Sequence, residues 1–362
     1  MKHVRNIFIW LATLILCVPI TAYAQAFDEP DDAQVYRLID TDNRYLTSHA
    51  RRVFVGDEYI SADNTLYRAI KIDDQARMAT MQNMGSEPEA DRAAFASIFT
   101  AYADEKKLIC MYSTHSDESY EPTDGTSSKI HNAGIYDVGE ALKKNLEKLG
   151  VSVEYSQDTF HPHDAGAYRR SRSAVEEYIK QAPAAVLDLH RDGIPDPDEY
   201  TEEIDGADIT KVRLLVGRSN QNAQANRAFA KEIKARADKE YPGLIKDIFI
   251  GRGNYNQELY PKALLMEFGT HTTNKERAIE STGYMAEVLN DVLFGESAQA
   301  TTTEQNQAGA TGIGWAIGAA VLLAVVYALV STGTFKQMTQ KLVRNTSEIT
   351  GGLIGKKPED RE

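Results

Sequence analysis

A chain of 362 residues, 42% hydrophobic and 26% charged, is long enough to bury one sizeable core and carry a smaller unit beside it. Its formal net charge of -13 leaves no basic stripe to neutralise phosphates, which argues against nucleic acid as a partner. With Cys17 in an apolar leader and Cys110 in a core strand, no disulfide framework is expected.

The chain opens with Lys2 and Arg5, an apolar run from Ile7 to Val18, and Ala22-Tyr23-Ala24. That order is the grammar of an export signal over residues 1–24, with Gln25 first after cleavage. Residues 27–75 read as a small β-rich unit, because short runs such as Val35 to Asp40, Arg52 to Val55, Glu58 to Ile60 and Leu66 to Ile72 are separated by Asp, Asn and Gly turn pairs. A unit of that size buries little by itself and is expected to lean on the main domain. Residues 76–105 turn to Ala, Met and charge, which predicts a helical connector with a break near Gly85-Ser86-Glu87-Pro88.

From 106 to 297 strands alternate with helices. Strands are expected at Leu108 to Tyr112, Val151 to Tyr155, Ala184 to Leu189, Val212 to Val216, Asp247 to Ile250 and Ala263 to Phe268. Between the first two, Ile135, Val138, Leu142, Leu146 and Leu149 recur at helical spacing, with Gly150 placed to stop the turn. Further helices are expected over Tyr168 to Gln181, about Ser219 to Tyr241, and through Met285 and Val288. The order implies an α/β domain: a mostly parallel twisted sheet with helices on both faces, preceded by the small β-rich unit and followed by a transmembrane helix.

Residues 298–311 read as a flexible spacer. Residues 312–333 are uncharged and mostly apolar, long enough to cross a bilayer at about 1.5 Å of rise per residue. Beyond them Lys336, Lys341, Arg344, Lys356 and Lys357 make residues 334–362 a basic tail of the kind retained in the cytoplasm. The expected location is the cell membrane, in a single pass, with the folded body on the extracytoplasmic side.

Three strands end in the same chemistry. Leu108 to Tyr112 runs into His115 and Glu118, the strand Ala184 to Leu189 ends at His190, and Ala263 to Met266 runs into Glu267. Open α/β sheets place ligands at the carboxyl ends of their strands. If these three are parallel neighbours, two imidazoles and one carboxylate can hold a metal ion, and a second carboxylate is left to move protons. A lone histidine at a strand end is usually structural; it is the coincidence of three such ends that singles these out. His131 precedes the first helix and could replace Glu118 as third ligand. His161-Pro162-His163-Asp164 reads more simply as an exposed proline-containing loop. His271 follows Glu267 and could line the cleft, orienting a substrate or stabilising an oxyanion. Arg169, Arg170 and Arg172 open a helix, where positive charge opposes the dipole, and read equally as a solvated face or as a grip on carboxylates.

At these motifs the sequence resembles the stage II sporulation protein P family of cell-wall hydrolases, over about residues 33–295. The likeness rests on Gly56-Asp57-Glu58-Tyr59-Ile60 with Asp63-Asn64 and Tyr67, Thr114-His115 with Glu118-Ser119-Tyr120, Gly166-Ala167-Tyr168 with Ser171-Arg172, Asp188-Leu189-His190-Arg191-Asp192, and Ala263-Leu264-Leu265-Met266-Glu267 with Gly269 and His271. It implies that residues 106–297 form a catalytic domain similar to zinc-dependent N-acetylmuramoyl-L-alanine amidases, acting on peptidoglycan and, in some members, on peptide cross-links as well. The carry-over makes His115, Glu118 and His190 the Zn2+ ligands and Glu267 the catalytic carboxylate, with Arg172, Arg191 and His271 as substrate contacts. A sporulation transglycosylase and a membrane protein are the implied partners, at engulfment. The family has a further histidine where this chain has Ser113, and an N-terminal anchor where this chain adds a C-terminal one. A catalytically silent wall-binding anchor or adaptor, and a zinc peptidase on another peptide, are the competing readings.

Overall fold

Eleven strands form one sheet in the order β2-β1-β5-β4-β3-β12-β11-β13-β8-β6-β7 in a computed structural model that describes residues 35–87, 106–164 and 166–295. The strands are β1 (Tyr36–Asp40), β2 (Tyr45–His49), β3 (Glu58–Ile60), β4 (Thr65–Asp73), β5 (Met78–Ser86), β6 (Leu108–Tyr112), β7 (Ser152–Tyr155), β8 (Ala185–Asp192), β11 (Val212–Gly217), β12 (Ile245–Gly251) and β13 (Ala263–Thr270). β9 (Thr201–Ile204) and β10 (Ala207–Thr210) form a separate hairpin, turned by Asp205 and Gly206. Both turn residues have positive φ, 53° and 81°, the conformation that a two-residue turn between right-twisted strands requires. The helices of more than one turn are α1 (Gly134–Lys148), α2 (Ala167–Ile179), α3 (Ala223–Glu240) and α4 (Lys275–Phe294).

The sheet is mixed, and this corrects the expectation of a mostly parallel one. β6, β8 and β13 are parallel neighbours, as the convergence of their ends requires, and β7 extends them in the same sense. β13 then meets β11 antiparallel, and β3 joins β12 antiparallel. The front strands therefore lengthen the main sheet by edge pairing, and Leu38, Tyr59 and Met81 pack with Leu215, Phe249 and Leu265 of the main domain, as a unit of that size was expected to. Arg52 to Val55 forms no strand; the ladder uses Tyr45–His49 instead, paired with β1.

β5 corrects a second expectation. Ala and Met at 78–81 favour helix by propensity, yet Ala79 and Met81 alternate inward at strand period while the residue between them does not. Pairing with β1 on one side and β4 on the other outweighs the local preference. The rest of the expected connector, the export signal, the spacer, the span 312–333 and the basic tail lie outside the described residues. Among the described residues no helix is long and apolar enough to cross a membrane.

Strand alternation sorts the sheet into two faces. Leu187 and Leu189 of β8, Leu264, Met266 and Phe268 of β13, Leu214 and Val216 of β11, and Ile248 and Ile250 of β12 share one core with α1, α3 and α4. On α1 this core takes Ile135, Val138, Leu142 and Leu146, the stripe read from the sequence. α2 covers part of the other face through Val175 and Tyr178, packed on Cys110, Tyr112 and Val186. Helices thus lie on both faces, three against one.

Candidate active site

The less thickly covered face carries the charge. Asp188, His190 and Asp192 alternate along β8 away from the helix-covered core, and Glu267 does the same on β13. His190 pairs in register with Glu267, Glu267 with Arg213 of β11, and Arg213 with Asp247 of β12. An imidazole, a carboxylate, a guanidinium and a second carboxylate therefore stand in one row across four neighbouring strands, all buried. Just past Glu267 the pairing of β13 with β8 slips, and Gly269 takes φ 73°. A side chain there would drive its Cβ to 2.6 Å from Thr273 Oγ1, so the bulge that ends the row needs glycine.

The loop after β6 brings His115 and Glu118 over this row. It is tied down by Ser119 N donating to Ser127 O (3.0 Å) and Ile135 N donating to Glu118 O (3.0 Å). Glu118 Oε2 accepts from Arg191 N at 2.8 Å, which turns Oε1 toward the two rings. Oε1 lies 3.6 Å from His115 Nδ1 and 3.3 Å from His190 Nδ1. Two ligands of a tetrahedral zinc ion, each at about 2.0–2.1 Å, stand about 3.3 Å apart. The rings of His115 and His190 meet edge to face, centroids 5.0 Å apart at 85°, so their in-plane lone pairs can aim at a common point. The far nitrogen of His190, Nε2, lies 2.9 Å from Asp188 Oδ1. Asp188 is itself fixed by Thr114 N and Thr114 Oγ1, each donating at 2.8 Å. A carboxylate on the far nitrogen is how proteins orient a histidine that ligates metal. The donor set fits one divalent ion of tetrahedral preference.

His163 also arrives here, which its reading as part of an exposed loop did not foresee. His115, Glu118 and His163 offer ligand atoms within 4.8 Å of one another. His163, however, stacks face to face on His115, centroids 4.0 Å apart and planes inclined by only 13°, so the in-plane lone pairs of the two rings run nearly side by side. Imidazole ligates in its own plane, so two stacked rings are poorly aimed at one ion, whereas Glu118 Oε1 stands within ligand-pair distance of both the His115 and the His190 ring. His163 is held from behind by Asp117, whose Oδ1 lies 3.0 Å from its Nδ1, and acts as a wall for His115.

The electrostatics separate the two glutamates. Burial pushes Glu118 up, but the charges of His190 and Arg191 outweigh it and hold the carboxyl well below its usual range. Burial depresses His190, and Asp188 and Glu118 overcome it to raise the ring to about 10, a property of the metal-free site, since a cation bound at Nδ1 displaces the ring proton there. Glu267 goes the other way: burial, then the neighbouring charge of Asp192, lift it to about 7 against the pull of Arg51, Arg213 and His190. Its Oε2 faces the Tyr200 hydroxyl at 3.3 Å, which also reaches Asp192 Oδ2 at 2.8 Å. Its Oε1 faces Arg51 Nη2 at 3.6 Å. A carboxyl poised near neutrality, beside a set of candidate metal ligands, is equipped to accept and return a proton.

Other expected residues are occupied elsewhere. Arg172 pairs with Glu258 and, at 3.1 Å, with Glu176 on its own helix, not with the row. Arg191 spends its guanidinium on loop carbonyls, donating from Nε to Ser119 O (3.1 Å) and from Nη2 to Ser127 O (2.8 Å). It is the brace of the Glu118 loop. His271 ties two loops by its backbone, donating from N to Asp192 O (3.1 Å) and accepting from Glu121 N (2.8 Å), with its ring half-buried. His131 is exposed. The roles of Asp188, His163, Arg51 and Arg213 were not read from the sequence. A signal existed for Arg213, a charge inside an otherwise apolar strand, and for Asp247, which with Lys246 interrupts the apolar run of β12.

The model of the family described as Stage II sporulation protein P matches residues 47–290. A curated relative, the Stage II sporulation protein P of Bacillus subtilis (strain 168), is 29% identical over 209 residues, 52% of this chain and 52% of the relative. The chain thus spans about half the length of the curated relative it matches. Among solved structures it is similar to the N-acetylmuramyl-L-alanine amidase Ami1 from Mycobacterium smegmatis, at 12% identity and TM-score 0.34 over 53% of this chain and 98% of that one. It is also similar to the CwlD amidase from Clostridioides difficile in complex with the GerS lipoprotein, at 12% identity and TM-score 0.35 over 55% and 99%.

Proposed function

The chain belongs to the stage II sporulation protein P family, and from that premise we propose that it is a zinc-dependent hydrolase of peptidoglycan that cleaves the amide between muramic acid and L-alanine. The observation that carries this reading is the register pairing of Glu267, a carboxyl lifted to about 7, with His190 of a two-imidazole, one-carboxylate set. His115 Nδ1, His190 Nδ1 and Glu118 Oε1 would hold the ion. Bound there, zinc supplies Lewis acidity and a water whose pKa is lowered to about 7.

The chain's own residues do the rest. A carboxylate oxygen of Glu267 takes a proton from the attacking water, and the same group returns it to the amide nitrogen as the C–N bond breaks. The products are a carboxylate on the muramyl side and a free amine on L-alanine. The Tyr200 hydroxyl stands against Glu267 Oε2, and the Asp188 carboxylate faces the far nitrogen of His190 as a counter-charge. The body works outside the cell membrane, tethered through 312–333, with a transglycosylase and a membrane protein as its sporulation partners.

Full-length chain incubated with purified wall is expected to expose new L-alanine amino termini and to carry about one zinc ion, as a site of this ligand type does. Full activity after complete chelation overturns the reading. Metal content tests the ligand set: His190→Ala is expected to lose zinc, His163→Ala to keep it, and Asp188→Asn to bind it roughly 10–100-fold more weakly. A zinc-free His163→Ala beside a loaded His190→Ala contradicts the assignment.

The pH dependence comes from the raised Glu267. As a base it must be ionised, so kcat is expected to fall about tenfold per pH unit below about 7 and to level above it. A rate flat between about pH 5 and 8 argues that another group carries the proton.

A further inference from the structure

We propose that Arg51 is a positioning residue for Glu267, so that the front strands complete the active site instead of standing outside it. This rests on the reading of Glu267 as the proton carrier. Arg51 lies in the link between β2 and β3, far from Glu267 in sequence, and is only 5% exposed.

Its guanidinium is aimed from two sides. Nη2 lies 3.6 Å from Glu267 Oε1, and Nη1 donates to the Tyr168 hydroxyl at 2.6 Å. The cation sits over the Tyr255 ring, 5.3 Å from its centroid. Tyr168 in turn sets its edge against Tyr255 (5.4 Å) and against His115 (5.5 Å), so one aromatic cradle joins the cation to the metal-binding side of the site.

That cradle holds its shape at a conformational penalty. Tyr255 and Asn256 both take positive φ, 53° and 56°, and for a bulky tyrosine this is a backbone state that persists only where surroundings impose it. Asn256 imposes it by donating to Tyr168 O (2.9 Å) and Ser171 Oγ (3.0 Å). Glu267 is thereby flanked at both oxygens, by the Arg51 cation 3.6 Å from Oε1 and the Tyr200 hydroxyl 3.3 Å from Oε2. A rigid planar fork can serve Tyr168 and Glu267 together, which a lysine ammonium at the end of a flexible stem does poorly.

The test uses full-length chain and muramyl-peptide substrate. Arg51→Met is expected to lose about 100-fold in kcat, the scale of a misplaced reacting group, with KM and zinc content unchanged. Arg51→Lys is expected to fall between. Millimolar guanidinium ion is expected to restore part of the rate to Arg51→Met and none to Glu267→Gln, a response that a merely structural role does not give. A raised KM with kcat retained makes Arg51 a substrate contact and overturns the proposal, as do unchanged kinetics. Independently of turnover, the unfolding midpoints of Arg51→Met, Glu267→Gln and the double variant are expected to be non-additive; additive shifts show that the two groups are not coupled and overturn it as well. If the native chain cuts no wall, the hydrolase reading falls, while this cycle still decides the pairing.

Discussion

Glu267→Gln is expected to lower kcat on peptidoglycan by roughly 1000-fold while zinc content and wall binding stay as in the native chain. The amide has nearly the shape of the carboxyl, and its oxygen can face Arg51 while its NH2 donates to the Tyr200 hydroxyl, so the row across β8, β13 and β11 keeps its packing. What it cannot do is take up a proton. Glu267 is set apart from the ligand group by its neighbours: Arg51 and Tyr200 face its oxygens, whereas Glu118 Oε1 faces the two histidines. Loss of zinc in this variant would move Glu267 into the metal shell. A loss of rate below about tenfold would leave general-base transfer to another group. The same variant separates an enzyme from a silent wall-binding adaptor, because an adaptor carrying Glu267→Gln should support the cell unchanged.

The strand ends were legible because burial and chemistry change abruptly there. Leu187-Asp188-Leu189-His190 shows an apolar strand with polar residues at every second place, and period two alone sets Asp188 and His190 on the same face. Likewise Glu267 closes a run that is apolar up to Met266. The partners of these groups were not legible, since they arrive from distant segments: Arg51 from the front of the chain, Tyr200 beside a hairpin, His163 from a proline-containing loop. No local period encodes such meetings. β5 was misread for a related reason, because Ala and Met state a helical preference that only pairing with β1 and β4 overrides. The mixed sense of the sheet hid in the same way: apolar runs such as Val212 to Val216 look alike whichever direction they run.

Arg213→Met is expected to destabilise the fold by roughly 3–5 kcal/mol, as removal of one member of a buried ionic network does. Arg213 is fully buried, gripping Asp247 with Nε (2.7 Å) and Nη2 (2.9 Å) and donating from Nη1 to Asp192 Oδ2 at 2.8 Å. Its Nη2 also reaches Thr47 Oγ1 of β2 at 2.9 Å, which fastens the front strands to the row. Burial opposes the charge on Asp247, but Arg213 and Lys246 outweigh it and hold that carboxyl far below its usual range. With methionine in place, Lys246 at 3.0 Å is left to answer Asp247 alone, and Asp192 loses its cation. Denaturant unfolding reads the difference, and pairing the change with Asp247→Leu should recover part of it, since a buried charge without its partner is the main penalty. A loss under about 1 kcal/mol would mean that solvent reaches the network in solution. The active site carries a second readout. Arg213 pulls Glu267 downward while Asp192 pushes it up, so removing the guanidinium raises Glu267 above about 7 and shifts the acid limb of the rate profile to higher pH. Stability and working pH should therefore move together in this variant, because one buried cation serves both the seam between β2 and β11 and the carboxyl that transfers the proton.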